Sequence, residues 1–253
     1  PRTLLTAADK LGNTPLHYAA QRGNADVLIN AGVPLDTPNA AAETALLVAC
    51  RSGCTESVKT LLSNSRSRGL IRAVDKELNT VIHACAASCD AQALALVLGH
   101  ASPEAALVAL GARNARIPSW VQREAINAAD AAGNTPLHIA ARVRARDAAD
   151  EDEAEEVVVA GAGNRRRVQR SLLAAVPGLP APQKPATGAI AATIRLLLAA
   201  GADVAKLDGT GQPPLGPFAS PLAVQELTTH YLRCGLPDLP VAGHAFFWRT
   251  VGF

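Results

Sequence analysis

Apolar residues recur along this chain as pairs of short stretches, separated by small or polar residues. The second stretch of a pair is the clearer one, as in "SVKTLL" (57–62), "ALALVL" (93–98) and "TIRLLL" (193–198). The stretch before it is rich in alanine and follows a threonine. Because apolar residues in such spacing line one side of a helix, the pattern predicts short amphipathic helices that come in pairs.

One nine-residue stretch occurs almost unchanged at two places. Residues 12–20 read "GNTPLHYAA" and residues 133–141 read "GNTPLHIAA", so that eight of nine letters agree across 121 positions. Weaker copies carry the same threonine at Thr44 and Thr80, and a last copy has Pro213 in its place. The successive spacings of the five copies are 30, 36, 55 and 78 residues. Each copy therefore opens one unit of a repeating structure.

The residue types of the copies suit the start of a helix. Thr14 can cap a helix because its hydroxyl accepts from backbone N–H groups that have no partner in the first turn. Pro15 then occupies the first helical position, where a missing N–H costs nothing. The alanine pair allows close helix packing, and Gly23 and Gly53 suit the helix C-terminus. The "D-x-x-G" before each Thr-Pro predicts a turn that joins neighbouring units.

The motif T-P-L-H-x-A resembles the ankyrin repeat family, whose period is about 33 residues. Thr14 and Thr80 lie 66 residues apart, which is twice that period. The resemblance rests on "GNTPLHYAAQRG", "NTVIHACA", "GNTPLHIAA" and "IRLLLAAGADV" (194–204). It implies an all-α fold, an α-solenoid of about five stacked helix–turn–helix repeats with short hairpin turns, two of whose linkers carry insertions.

We expect a single repeat domain over residues 1–253. Its repeats are expected near 9–36, 37–69, 75–102 and 130–204, followed by a degenerate copy at 208–238 and a C-terminal tail at 239–253. In the degenerate copy, Pro217 lies where the first helix is expected and would interrupt it. The tail holds four of the eight aromatic residues, and we expect it to fold over the last repeat.

Departures from the period locate shortened and inserted segments. The first spacing of 30 predicts that the second helix of the first repeat has lost about one turn. The spacing of 55 has 22 extra residues near 99–120, where "PEAALVAL" predicts an added short helix. The spacing of 78 has 45 extra residues, which we place at about 145–188. That segment is acidic, then basic, then proline-rich, so we expect a flexible insertion with a short helix at 165–175.

Composition narrows the class of protein. Apolar residues make up 49% of the chain but aromatic residues only 3%, so the core must be built from small side chains. The net charge of +2 argues against nucleic acid or a membrane surface as partner. Five cysteines form no dense disulfide framework, which favours reduced thiols and a cytoplasmic or nuclear location. We expect a monomer.

Candidate chemistry is sparse, and we expect no enzyme activity and no cofactor. His17, His83 and His138 occupy one repeat position, and the resemblance implies that they form hydrogen bonds beside the threonine cap. Cys50 with Cys54, and Cys85 with Cys89, are each four residues apart on a helix turn, which is the best sequence case for a zinc site. The alternative, that Cys50 and Cys85 act as small apolar residues in alanine positions, is the one we prefer.

The resemblance implies a non-catalytic scaffold that binds a protein partner through the hairpin tips and the exposed side of the first helices. By position, the predicted partner-binding residues are Asp9, Lys10, Leu11, Asp75, Lys76 and Glu77 at the tips, and Tyr18, Gln21, Arg22, Val48, Arg51, Ser52, Ile139, Arg142 and Val143 on the first helices. The alternative is an adaptor region of a larger enzyme or channel. The first residue is proline and the chain contains no methionine, which favours a fragment.

Overall fold

The computed structural model describes residues 5–100, 102–111, 123–143, 187–216 and 219–234. Its helices, in chain order, are α1 (Pro15–Arg22), α2 (Ala25–Asn30), α3 (Ala45–Arg51), α4 (Thr55–Ser63), a 3₁₀ helix (Ser65–Arg72), α5 (Val81–Ser88), α6 (Ala91–Val97), α7 (Pro103–Gly111), α8 (Arg123–Ile126), α9 (Pro136–Arg142), α10 (Thr187–Ala199) and α11 (Pro221–Cys234). Between these described residues there is one isolated β-bridge and no extended strand.

The helices stack in two layers, which confirms the predicted all-α solenoid. The first helices of the repeats, α1, α3, α5 and α9, pack on one another in that order. The second helices, α2, α4, α6 and α10, form the other layer in the same order. Buried residues of both layers belong to one apolar cluster that runs along the stack. No repeat buries its apolar side alone, so each depends on its neighbours for a core.

The helices begin where the threonines predicted. Thr14, Thr44, Thr80 and Thr135 each have an extended backbone and directly precede the first helical residue. The second helix of the first repeat, α2, has six residues, whereas α4 of the next repeat has nine, as the short spacing predicted. The predicted extra helix is α7, which packs against the second-helix layer.

Five hairpin tips precede the repeats and share one set of hydrogen bonds. In each tip an Asp or Asn accepts, through Oδ1, from the backbone N–H groups two and four residues later, at 2.7–2.9 Å. Its own N–H donates to the carbonyl four residues later. We name these tips 1 to 5, comprising residues 9–13, 39–43, 75–79, 130–134 and 208–212. The degenerate fifth copy thus keeps the turn of the others.

The tips are also bonded to one another. The N–H of the second residue in each tip donates to the carbonyl of the third residue in the tip before it. These bonds are Ala40 to Leu11 at 2.8 Å, Lys76 to Ala41 at 3.0 Å, Ala131 to Glu77 at 2.8 Å and Gly209 to Ala132 at 3.1 Å. The last two cross the places where the sequence carries extra residues. The insertions therefore leave the row of tips continuous.

Three histidines connect the repeats through buried hydrogen bonds. Nδ1 of His17 accepts from the backbone N–H of Thr14 at 3.1 Å, and the Thr14 hydroxyl lies 2.9 Å from the same nitrogen. Because Nδ1 accepts, the ring proton is on Nε2, which donates to the Glu43 carbonyl of the next repeat at 3.0 Å. His83 and His138 repeat this arrangement with the carbonyls of Asn134 and Gln212.

The second repeat lacks this connection. Leu47 occupies the histidine position of α3 and is buried. The hydroxyl of Thr44, which pairs with histidine in the other repeats, is accordingly buried without a hydrogen-bond partner. The second repeat is instead held to the third by apolar packing of α3 on α5 and of α4 on α6. The bond from Lys76 to Ala41, and a bond from the Thr55 hydroxyl to Asp90 at 2.8 Å, add to this contact.

The fifth unit is the least regular. Residues 214–216 form bends rather than the expected first helix, and Pro217 itself lies outside the described residues. The expected second helix is present as α11 and packs chiefly against α10. Most of the predicted insertion, apart from the first residues of α10, and the predicted tail lie outside the described residues, so their proposed character stays a prediction.

Acidification should destabilise the stack through the three histidines. Burial lowers the pKa of His17, His83 and His138 below the ordinary value of 6.5. The unfolded chain therefore takes up protons at a higher pH than the folded chain. The free energy of unfolding is highest above pH 6.5 and falls as the pH drops below that value towards the pKa of the folded state.

Thermal melts at about pH 7.5 and about pH 5.5 measure this effect, and the Tm should be lower at the acidic pH. His17→Gln, in the first described repeat, should show a smaller difference between the two melts. An equal or higher Tm at the acidic pH would show that the bridging rings are not neutral in the folded chain.

Removing residues 147–186 should leave the repeats folded. The helices on either side of this segment, α9 and α10, pack on each other and on the helices of the preceding repeat. The shortened connection would have an ordinary length for a helix pair. Far-ultraviolet circular dichroism should retain its helical signal per residue, with a cooperative melt. An unfolded spectrum would contradict the prediction.

Candidate interaction surface

Among the predicted tip residues, the aspartates form the hydrogen bonds of the turns, whereas the lysines are exposed. Asp9 and Asp75 hold their turns through Oδ1, and Oδ2 of Asp75 also accepts from the Asn79 side chain at 2.8 Å. Lys10 and Lys76 are exposed, and their ammonium groups have no hydrogen bond or ion pair within the described part of the chain. The tips therefore place positive charge outwards and use their aspartates for folding.

Tyr18 connects the first helix to tip 1. Its hydroxyl donates to Oδ2 of Asp9 at 2.5 Å, and its ring is half-buried. This hydrogen bond lowers the pKa of Asp9 and raises the pKa of Tyr18, because it favours the ionised acid and the neutral phenol. Tyr18 is thus available at the surface, but it also orders the tip beside it.

Two of the predicted contact residues are buried, and the sequence-based expectation that they lie on an exposed face is wrong. Val48 is 1% exposed and Val143 is 7% exposed, and both belong to the buried apolar residues. Val48 lies in α3, which is covered by α1 on one side and α5 on the other. Ile139, at the position that corresponds to Tyr18, is half-buried and packs against the core.

Arg51 is part of a polar cluster rather than a free side chain. Its guanidinium forms an ion pair with Glu43, whose carboxylate also accepts from the Asn39 side chain at 2.9 Å. The Asn39 amide reaches Asn13 of the preceding tip at 3.0 Å. This cluster joins tips 1 and 2 beneath the surface, so the role that the structure supports for Arg51 is structural.

Arg142 occupies the same helix position and makes an equivalent connection between tips 4 and 5. It donates to Oδ1 of Asn134 at 2.7 Å and to Oδ2 of Asp208 at 2.5 Å. Burial acts to raise the pKa of Asp208, but hydrogen bonds from Thr210, the Gln212 backbone and Arg142 lower it to about 2. Asp208 is therefore ionised at neutral pH and depends on Arg142 for its counter-charge.

The other predicted residues vary in exposure. Arg22 and Leu11 are exposed, whereas Gln21, Ser52 and Glu77 are half-buried. The Ser52 hydroxyl donates to the Val48 carbonyl within its own helix. The exposed members of the predicted set are thus concentrated at tips 1 and 3 and at the end of α1.

Leu78, in tip 3, was missed as a candidate residue. The residue is 52% exposed, and its backbone lies in the left-handed region with φ 62°. Tips 1, 4 and 5 have glycine at this position, in Gly12, Gly133 and Gly211. The signal that could have identified Leu78 is the comparison of "DKLGN" at 9–13 with "DKELN" at 75–79.

Metal and membrane sites find no support among the residues that the structure describes. No group of three or more His, Cys, Asp or Glu is arranged to hold a metal ion there. Cys50 and Cys85 are fully buried, and their mutual hydrogen bond together with burial raises the pKa of Cys85. Burial raises the pKa of Cys89 to about 12, which opposes a thiolate ligand. None of the described helices has the length and apolar character that a bilayer crossing requires.

The comparisons with known proteins give the following similarities. Residues 2–68 match the family model of ankyrin repeats in three copies. The structure is similar to EF0377, an ankyrin repeat protein, with a TM-score of 0.50 and 17% identity over 83% of this chain and 76% of that chain. This similarity shows the fold.

A second similar structure is a complex of the Bd0816 predatory endopeptidase from Bdellovibrio bacteriovorus with the immunity protein Bd3460, at a TM-score of 0.49 and 21% identity. That match covers 89% of this chain and 80% of the other. No curated protein matches the sequence.

Arg142→Ala should reduce the free energy of unfolding by about 2–3 kcal/mol, because it leaves the Asp208 carboxylate buried without its cation. The matched control is Arg195→Ala. Arg195 pairs with Glu226 on the surface, and its side chain is 56% exposed. That change should cost at most about 1 kcal/mol. Urea denaturation measures both values, and equal losses would show that the Arg142 contact is not specially stabilising.

Proposed function

We propose that this chain, whose residues 2–68 match the ankyrin repeat family model, is a non-catalytic scaffold that binds a protein partner through its hairpin tips and the exposed side of its first helices. Ankyrin repeats in general mediate contacts between proteins. The observation that carries the proposal is the division of roles along the tips. Their aspartates are used in the turns, whereas Lys10 and Lys76 extend from the surface without partners in the described structure.

The geometry of the histidines favours a scaffold over an enzyme. His17, His83 and His138 are each buried, neutral and bonded at both ring nitrogens. A ring held in this way has no free nitrogen with which to exchange a proton with a substrate. The three residues that most resemble catalytic groups in the sequence are therefore accounted for by the repeat structure.

The polar clusters under the tips support binding indirectly. Arg51 with Glu43, and Arg142 with Asp208, fix the position of neighbouring tips relative to one another. A binding surface held in one conformation loses less conformational entropy when a partner docks. We therefore assign Arg51 and Arg142 to the support of the surface, and assign the contacts to Lys10, Leu11, Tyr18, Gln21, Arg22, Lys76 and Glu77.

Affinity capture with the full chain, read out by mass spectrometry, tests the proposal when it is run in parallel with a surface variant. A partner that is retained by the native chain and lost by a folded variant of the tips would support a scaffold. Retention of the same proteins by both chains would show that the surface is not the binding site.

Tyr18→Ala should weaken binding of the captured partner by about 1–2 kcal/mol, because a large, rigid ring with a polar group is removed from the surface. Tyr18→Phe is the matched control: it keeps the ring and removes only the hydrogen bond to Asp9. Calorimetric titration gives the affinities, and thermal melts report the folding of both variants. A sharp fall in Tm with unchanged affinity would place Tyr18 in the fold rather than in the interface.

A further inference from the structure

Tips 1 to 3 form a continuous patch with an unusual distribution of side chains. Lys10 and Leu11 are exposed at tip 1, and Lys76 and Leu78 are exposed at tip 3. Tip 2 lies between them and contributes alanines, of which Ala40 and Ala41 are exposed. We call the six residues Lys10, Leu11, Ala40, Ala41, Lys76 and Leu78 the tip patch. Its centre carries only methyl groups, and longer side chains flank it on two sides.

The ladder of backbone bonds sets the dimensions of the tip patch. Ala40 donates to the Leu11 carbonyl, and Lys76 donates to the Ala41 carbonyl, so the three tips lie side by side. Each tip consists of two chain segments, and the helices of its repeat pack on those of the next repeat. The usual distance between packed helices therefore places neighbouring tips about 10 Å apart. The backbones that carry Lys10 and Lys76 are thus separated by about 20 Å, which leaves room for one docked protein segment.

The acidic side chains of the same tips are held against the protein. Asp75 accepts three hydrogen bonds within its own turn, and Asp9 accepts from two backbone N–H groups and from Tyr18. One carboxylate oxygen of Glu77 is enclosed. Asp9 is itself exposed, but its carboxylate is engaged in these bonds, so the two ammonium groups are the exposed ionic groups of tips 1 and 3 that have no partner among the described residues. Charge complementarity therefore calls for carboxylates on the partner.

Leu78 has no evident role in the fold. Its left-handed backbone is unfavourable for a residue with a side chain, and three other tips use glycine there. Its apolar side chain is largely exposed to water. Leu78 thus has an unfavourable backbone conformation and an exposed apolar side chain, and a residue with both features is a candidate for function. It lies in the same tip as Lys76, which has no partner in the described structure.

We propose that the tip patch binds an acidic protein segment whose apolar side chains rest on Ala40, Ala41, Leu11 and Leu78 while its carboxylates pair with Lys10 and Lys76. This inference rests on the proposed scaffold function and specifies the chemistry of the partner. A protein segment is favoured over a nucleic acid because half of the protruding side chains are leucines and the patch contains no arginine.

Selection of random peptides displayed on phage against the full chain tests the proposal. The enriched peptides should combine Asp or Glu with Leu, Ile, Val or Phe, and their affinity is then measured by fluorescence anisotropy. Lys10→Glu and Lys76→Glu should each weaken binding by about tenfold or more, because each replaces an attraction with a repulsion. Lys59→Glu, an exposed charge reversal on α4 away from the tips, is the matched control and should leave the affinity unchanged.

Leu78→Gly separates binding from folding. Glycine is the residue at this position in three other tips, so the Tm should stay close to that of the native chain. Peptide affinity should nevertheless fall by about tenfold, because the apolar contact is lost.

Several results would overturn the inference. Enriched peptides without Asp or Glu would overturn the inference, and so would peptide binding that survives all three tip substitutions. In either case, loss of that binding in Tyr18→Ala would leave the scaffold function in place. A single-stranded oligonucleotide that binds as tightly as the peptides and is lost in the same variants would reassign the patch to nucleic acid. Failure to enrich any peptide would count against both the inference and the scaffold function.

Discussion

Three of the four interfaces between the described repeats depend on a neutral histidine held between two repeats. In His17, His83 and His138, one ring nitrogen accepts from the threonine that starts the helix and the other donates to the next repeat. The same ring therefore fixes the start of a helix and the position of the following tip. Because the ring is buried, protonation of Nδ1 would remove the acceptor for the threonine and place a charge in the core. The start of the helix and the contact between the repeats therefore depend on the same neutral ring.

Irregular spacing is tolerated because the contacts that hold the repeats are local to each interface. The tip ladder, the histidine bridge and the packing of the first helices all involve residues near the tips and the helix starts. The residues that form these contacts are not among the extra residues after α6 or between α9 and α10. Loop closure entropy rises only slowly with length, so a long excursion costs little once the neighbouring layers are bonded.

The surface shows how one repeat position can serve folding in one place and binding in another. The position of Tyr18 is occupied by Val48 in the second repeat, where neighbours on both sides bury it, and by Ile139 in the fourth, where it packs on the core. Likewise, Arg51 and Arg142 lie at the last position of their helices, half-buried, and form ion pairs with acids of the tips. The groups that remain outward are those for which no nearby tip supplies a partner, as with Lys10 and Lys76.

The sequence, through its resemblance to ankyrin repeats, implied the helical solenoid. By itself it determined the starts of the first helices, the shortened α2 and the added α7, because threonine position, the apolar period and residue spacing act over a few residues along the chain. It could not decide that Val48 and Val143 are buried, that Arg51 and Arg142 are paired, or that Leu78 protrudes. Burial and pairing depend on what the adjacent repeat places opposite a side chain, at contacts such as Arg142 with Asp208, 66 residues apart. Only the stacked structure brings such residues together.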